Sequence, residues 1–295
     1  MFDIVSILML LGSFFITFFL DEVVSVSVYN SLIFCIKTIV PSLFIYMILS
    51  EAFIESKIFE KIGKVLTKNF HIKYKTSIVL SIIFVSILCG APIGAKLSFN
   101  AYNNGALSKK EAIALNAATN NISLSFVYGV CQTKLTLYKE VFFIMLISSL
   151  ISATIMLKTI NVVDEYKFGE NVKNEFKVSK VIKNSTNSMI GVCASIITFT
   201  VVGDIFEKLI PFVSHLVKGI FEFSSGVYNL KNESFLLSTL MLSFGGFSLH
   251  NQIYSAWENE LKYKYIFFPK LIQGIISFFF CEMYLLFVDK SIVLL

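Results

Sequence analysis

The chain has no arginine; all 25 of its basic residues are lysines. No stretch interleaves those lysines with surface aromatics, which argues against a nucleic-acid face, and the formal net charge of +5 is better read as a record of membrane topology. Charge of either sign is scarce, at 15% of residues, too little to cover the surface of a soluble domain of 295 residues. Cysteine is sparse too. Cys35, Cys89, Cys131, Cys193 and Cys281 stand far apart with no C-x-x-C pair, and they read as small apolar side chains in helix packing. His71, His215 and His250 are scattered and no H-E-x-x-H occurs, so neither a metal site nor a cofactor is expected. Paired carboxylates, a nucleophile–base pattern and G-x-S-x-G are all missing, which disfavours an intramembrane enzyme.

What is present is apolar. Hydrophobic residues make up 56% of the chain, 31 of them Phe, and the mean hydropathy is +0.75. Apolar runs are long enough to cross a hydrocarbon core of ~30 Å. The fold class expected is an all-α polytopic membrane protein in a lipid bilayer. About six full spans are predicted, over 3–20, 30–54, 112–131, 138–157, 187–208 and 265–288. Residues 1–20 carry no early Lys and no A-x-A site, and they read as a first membrane helix within an N-terminal segment 1–29. Stretches 57–72 and 210–230 are amphipathic and too charged to span, which places them at the interface.

Two apolar segments are interrupted. Segment 76–104 breaks at Gly90-Ala-Pro-Ile-Gly94, and segment 235–260 breaks at Ser243-Phe-Gly-Gly246. Lysines suggest how the first is threaded. Segment 57–75 carries Lys57, Lys61, Lys64, Lys68, Lys73 and Lys75; the polar linker 158–186 carries Lys158, Lys167, Lys173, Lys177, Lys180 and Lys183. Both belong on the cytoplasmic side. Two spans, 112–131 and 138–157, already separate them, so 76–104 is expected to enter and return as a reentrant hairpin. By the matching order of elements 235–260 is read as a second hairpin, while Lys262 and Lys264 after it disagree mildly with the side this assigns them. Glu51 and Glu207 each close a span 156 positions apart, and Gly90 and Gly246 share that offset. The order of elements repeats, giving a first unit 30–157 and a second unit 187–295 in inverted topology, an architecture that places a substrate site near the midplane.

Broken backbone survives at membrane depth only when buried in protein or lining a wet cavity. Gly90 and Gly94 permit the turn, and Pro92 suits the start of a returning helix. That helix directs its positive end inward, and Lys96 on its first turn adds a full charge, so an anion site is expected there. The competing reading is a lysine that snorkels to the surface. The spacing G-x-x-x-G-x-K is not that of a P-loop. Ser108-Lys-Lys-Glu111 is a capping box that predicts a helix from Lys109, with Asn116, Asn120 and Ser123 on one inward face. In the second segment Gly245, Gly246, Ser248, His250, Asn251 and Gln252 complete the candidate substrate-binding set, His250 also as a proton-responsive group. Asp204 and Glu282 are the candidates for coupling to an ion.

These motifs also carry a resemblance. Pro41-Ser-Leu-Phe44, Gly90-Ala-Pro-Ile-Gly-Ala-Lys96 with Gly105 and Ser108-Lys-Lys-Glu-Ala112, Glu222-Phe-Ser-Ser-Gly226 and Ser243-Phe-Gly-Gly-Phe-Ser-Leu-His-Asn-Gln252 resemble the YlbJ-type sporulation integral membrane proteins, a nucleoside-recognition (Gate) group. The likeness covers about residues 30 to 290. Where family members often have a proline near Asn120-Asn121, this chain has Ile122-Ser123. The resemblance implies a spore-forming cell, the outer forespore membrane, and delivery of dipicolinic acid from the mother cell. The residues alone imply a carrier for a small, anionic solute. A nucleoside or other small-metabolite carrier and a non-transporting scaffold for spore maturation stay open, and a homo-oligomer is compatible with each.

Overall fold

A computed structural model describes residues 18–56, 58, 61–62, 65, 67–68, 73–132, 135–162, 165–166, 176–210, 214–229 and 235–293. Among the described residues the structure is helical, without strands. In chain order the helices are α1 (Asp21–Glu55), α2 (Tyr74–Cys89), α3 (Ile93–Asn103), α4 (Lys109–Thr119), α5 (Leu124–Phe126), α6 (Tyr138–Thr159), α7 (Val178–Leu209), α8 (Ser214–Phe221), α9 (Phe223–Asn229), α10 (Phe235–Phe244), α11 (Gly246–Ala256) and α12 (Lys264–Val293). Four of them, α1, α6, α7 and the Lys264–Phe287 part of α12, are long and apolar enough to cross a membrane.

The side-chain pattern suits a bilayer better than water. On α6, Ser148, Ser149 and Ser152 are fully buried while Phe143 is 61% exposed. On α2, Ser77, Ser81 and Ser86 face inward and Phe84 faces out. Lipid tails are as apolar as leucine, so burying leucine between helices gains little there; small residues that permit close approach are favoured instead. The hydroxyls satisfy themselves locally. Ser81 donates to the Ser77 carbonyl (2.8 Å), Ser86 to Ile82 (2.7 Å) and Ser148 to Met145 (3.0 Å).

Several predicted boundaries move. The expected span 3–20 lies outside the described residues except for its last three positions. The boundary expected at 29/30 is absent, because α1 is one 35-residue helix. Asp21 and Glu22 open its first turn, where acidic side chains suit the positive helix end. A π turn at Cys35–Ile39 interrupts its winding without ending it. The linker expected over 158–186 is shorter, since α7 begins at Val178. The interfacial stretch 57–72 lies mostly outside the described residues; 210–230 contains α8 and α9.

The largest correction concerns 112–131, which is not a continuous span. The capping box holds: Ser108 Oγ accepts from the Glu111 N–H, and Glu111 accepts from the Ser108 N–H. The helix it starts stops at Thr119 after 11 residues. The chain then bends at Asn121 and reaches Ser123, which is extended and caps α5 by accepting from the Phe126 N–H (3.1 Å), and continues into a π turn at Val127–Cys131.

This second break answers the first. Gly90 takes φ +74° and turns the chain between α2 and α3. The Ala91 N–H, freed by the turn, donates to the Asn121 carbonyl at 2.8 Å. A Cβ on Gly90 would lie 2.5 Å from the Ser123 nitrogen, so only glycine lets the two breaks meet. Broken backbone here is satisfied by other broken backbone, both buried in protein. One turn on, a Cβ on Gly94 would sit 2.7 Å from Cβ of Thr119 and closer still to its carbonyl oxygen. Gly94→Ala is therefore expected to cost about 1–3 kcal/mol by forcing α3 off α4. Gly191→Ala, whose added Cβ would meet nothing within 4 Å, is the matched control. Thermal unfolding in detergent compares them, and equal midpoints would remove the close-approach argument.

The interrupted segments differ in form. The arms α2 and α3 pack against each other. The second break, at Gly245 (φ +79°) and Gly246 (φ +64°), leads into arms that share α8 and α12 as neighbours. α10 packs on α12, α6, α9 and α8, and α11 on α7, α8, α3 and α12. α3 and α11, the helices that follow the two breaks, are each 11 residues long, and they touch.

Candidate substrate cavity

α1, the start of α3, α7 and the end of α11 enclose a cavity of about 330 Å³. That is the low end of the range for small-ligand sites. Its polar lining includes Glu51, Lys96, Ser188, Gln252 and Glu258. Of the predicted binding residues, Pro92, Lys96 and Gln252 reach it.

Lys96 does not wait with an empty ammonium. Its Nζ is bonded to Glu51 Oε1 and donates to Ser188 Oγ at 3.3 Å. Glu51 is nearly buried, its side chain 4% exposed, while that of Lys96 is 33% exposed. A carboxylate therefore already occupies the expected anion position, and it comes from the protein. The N-terminal N–H groups of α3 are also less free than expected. Ile93 and Gly94 both donate to the Gly90 carbonyl, at 3.1 and 3.4 Å. Lys96 remains the principal donor the cavity offers an anion.

The asparagines lie in a separate buried network behind the two breaks. Asn116, Asn120 and Ser123 are all buried, as expected, but α4 ends between them, so they do not share one helical face. Asn116 Oδ1 accepts from Trp257 Nε1 (3.0 Å) and from Asn120 Nδ2 (2.7 Å). Asn121 Nδ2 donates to Ser149 Oγ (2.9 Å), and its Oδ1 accepts from Gln273 Nε2 (2.7 Å). Into this network projects Lys270 of α12, only 2% exposed. It donates to the Asn120 carbonyl and to Gln273 Oε1 (3.0 Å). The α4 carbonyls lose their helical partners at this point, and a cation at the negative helix end supplies one. Sequence reasoning missed Lys270, although a lysine inside the predicted span 265–288 was the signal for it.

The remaining predicted residues scatter. Gly246 packs against the carbonyls of α8, so that a Cβ there would lie 3.1 Å from the Gly219 oxygen; Gly245 forms the turn. Ser248 accepts from Gln252 (3.2 Å), and Asn251 donates to Ser195 Oγ of α7 (2.9 Å). His250 is 1% exposed, with Phe244, Phe247 and Phe267 around it. Its ring nitrogens bond the Tyr263 hydroxyl and the Phe244 carbonyl, both at 3.1 Å, and it does not line the cavity. Asp204 and Glu207 both pair with Lys218 of α8, at 3.0 and 2.5 Å. Neither Asp204 nor the half-buried Glu282 of α12 lines the cavity. Among the described residues no cluster of three or more His, Cys, Asp or Glu side chains could hold a metal.

No family model, curated protein or solved structure matches the chain.

Proposed function

We propose that this protein is a membrane carrier for a small anionic metabolite and that Lys96 binds a substrate carboxylate. One observation carries the reading. The ammonium on the first turn of the returning helix opens on a cavity and already holds a carboxylate, that of Glu51, in the place a substrate carboxylate would take. Charge-assisted bonds of this kind are the strong ones. A lysine merely snorkelling to the surface would not sit in a helix-lined cavity against a buried carboxylate. The substrate we propose is dipicolinate, in the outer forespore membrane of a spore-forming cell. That part rests on the motif resemblance, with the inverted repeat as the accompanying architecture.

Uptake into proteoliposomes tests it. Saturable dipicolinate uptake that excess nucleoside does not inhibit is the expected result. Nucleoside uptake without dipicolinate uptake would make the protein a nucleoside carrier. Uptake of neither, with folded protein, would favour a scaffold.

A further inference from the structure

Glu51 is not needed to bind an anion; it competes with one. A carrier whose cavity lysine, the one among the described lining residues, is held by its own carboxylate must move that carboxylate before a substrate can bind there. Once displaced, Glu51 is a nearly buried anion without its cation, which is far costlier than the neutral acid. The charged groups around it leave it little choice. From α3 there is Lys96, now taken by substrate. Glu258, beyond α11, lines the same cavity and repels. One turn along α1 lies Glu55, whose Oε1 pairs with Lys180 of α7 at 2.8 Å and whose Oε2 is buried without a partner. α2 places its Lys75 on its first turn, paired with Glu111 (2.5 Å), and α5 has no ionisable side chain.

We propose that Glu51 is the proton-coupling group of the carrier, taking up one proton from solvent as a substrate carboxylate replaces it on Lys96 and releasing that proton when the substrate leaves. The exchange balances: the pair Glu51–COO⁻·⁺H₃N–Lys96, a substrate carboxylate and one proton become Glu51–COOH and the substrate carboxylate on Lys96. The inference rests on the carrier reading and moves the coupling role from Asp204, which Lys218 holds outside the cavity.

The sign follows from linkage. A ligand whose binding takes up a proton binds tighter as pH falls, and one full proton means roughly tenfold in apparent affinity per pH unit. Between pH 6 and 8 both carboxylates of dipicolinate are ionised, so the substrate adds no slope of its own. The experiment measures dipicolinate binding to purified protein from pH 6 to 8, and luminal pH with a trapped dye during uptake. Wild type is expected to lose affinity up to tenfold per pH unit on going from 6 to 8 and to acidify the lumen as substrate enters. Glu51→Gln is expected to bind more tightly at pH 8 than wild type, with a flat pH profile and no acidification. Wild-type binding that does not vary with pH would overturn the inference and leave the carrier standing; Glu51 would then swing to Lys180 instead of taking a proton. A Glu51→Gln profile as steep as wild type would overturn it too, by placing the proton elsewhere. No dipicolinate binding by folded wild type at any pH would overturn both readings.

Discussion

Lys96→Gln is expected to lower the yield of folded protein sharply, and Glu51→Gln much less. Removing one member of a buried ion pair costs about 3–5 kcal/mol, because the other charge is left unpaired or must be neutralised by a proton. That is a large share of the ~5–15 kcal/mol that separates folded from unfolded chains. The two partners are not equivalent. Glu51 is the buried one, with 4% of its side chain exposed, so losing Lys96 strands it. Lys96 keeps 33% exposure and a second partner in Ser188, so losing Glu51 leaves a cation that still reaches water. The double variant Glu51→Gln/Lys96→Gln replaces the pair with two amides able to bond each other, and it should recover most of the yield. Size-exclusion peak height after detergent extraction reads all three. Equal yields for the two single variants would mean that the pair does not form.

The double variant then tests binding without a folding defect. A hydrogen bond to a charged group contributes about 1.5–3 kcal/mol, so its dipicolinate affinity should fall roughly 10- to 150-fold below that of Glu51→Gln alone. A double variant that binds dipicolinate as tightly as Glu51→Gln would remove Lys96 from the site.

How much of this was legible in the sequence depends on what fixes each feature. The break at Gly90 is written locally, since glycine and proline there have few other uses inside an apolar run. The start of α4 is written locally as well, in Ser108 and Glu111. The break at 120–123 is not. Asn-Asn-Ile-Ser has neither glycine nor proline, and its conformation is held from outside by Lys270, Ser149, Gln273 and the Ala91 N–H. A pattern search sees only continued apolar periodicity and reads a span. The Glu51–Lys96 pair joins residues 45 positions apart on different helices, and no spacing rule links them. Glu51 stood out in the sequence only as the end of a span. The anion site was therefore legible as a cationic helix start, and its resident carboxylate was not.

Lys270→Met is expected to destabilise the protein by about 2–6 kcal/mol, although it removes a buried charge. Two acceptors lose their donor together: the Asn120 carbonyl at the end of α4 and Gln273 Oε1. Each buried group left unsatisfied costs about 1–3 kcal/mol. The neighbourhood has no donor to spare, since Asn120 Oδ1 is already buried without a partner. Gln273 Nε2 is committed to Asn121 Oδ1 (2.7 Å) and the Met145 carbonyl (3.3 Å). Against this stands relief from burying an ammonium. That relief is limited here, because the ammonium is already bonded to the Asn120 carbonyl and Gln273 Oε1, which offset part of its burial. The loss of donors therefore decides the sign. Lys270→Gln, which keeps a shorter donor without the charge, should fall between wild type and the Met variant. Thermal unfolding in detergent ranks the three, and protease cleavage near 120–123 should rise in the same order as the second break loosens. A Met variant that melts at or above the wild-type temperature would show that charge burial dominates at this position. Lys270 would then be a cost the fold tolerates, not the donor that closes the end of α4.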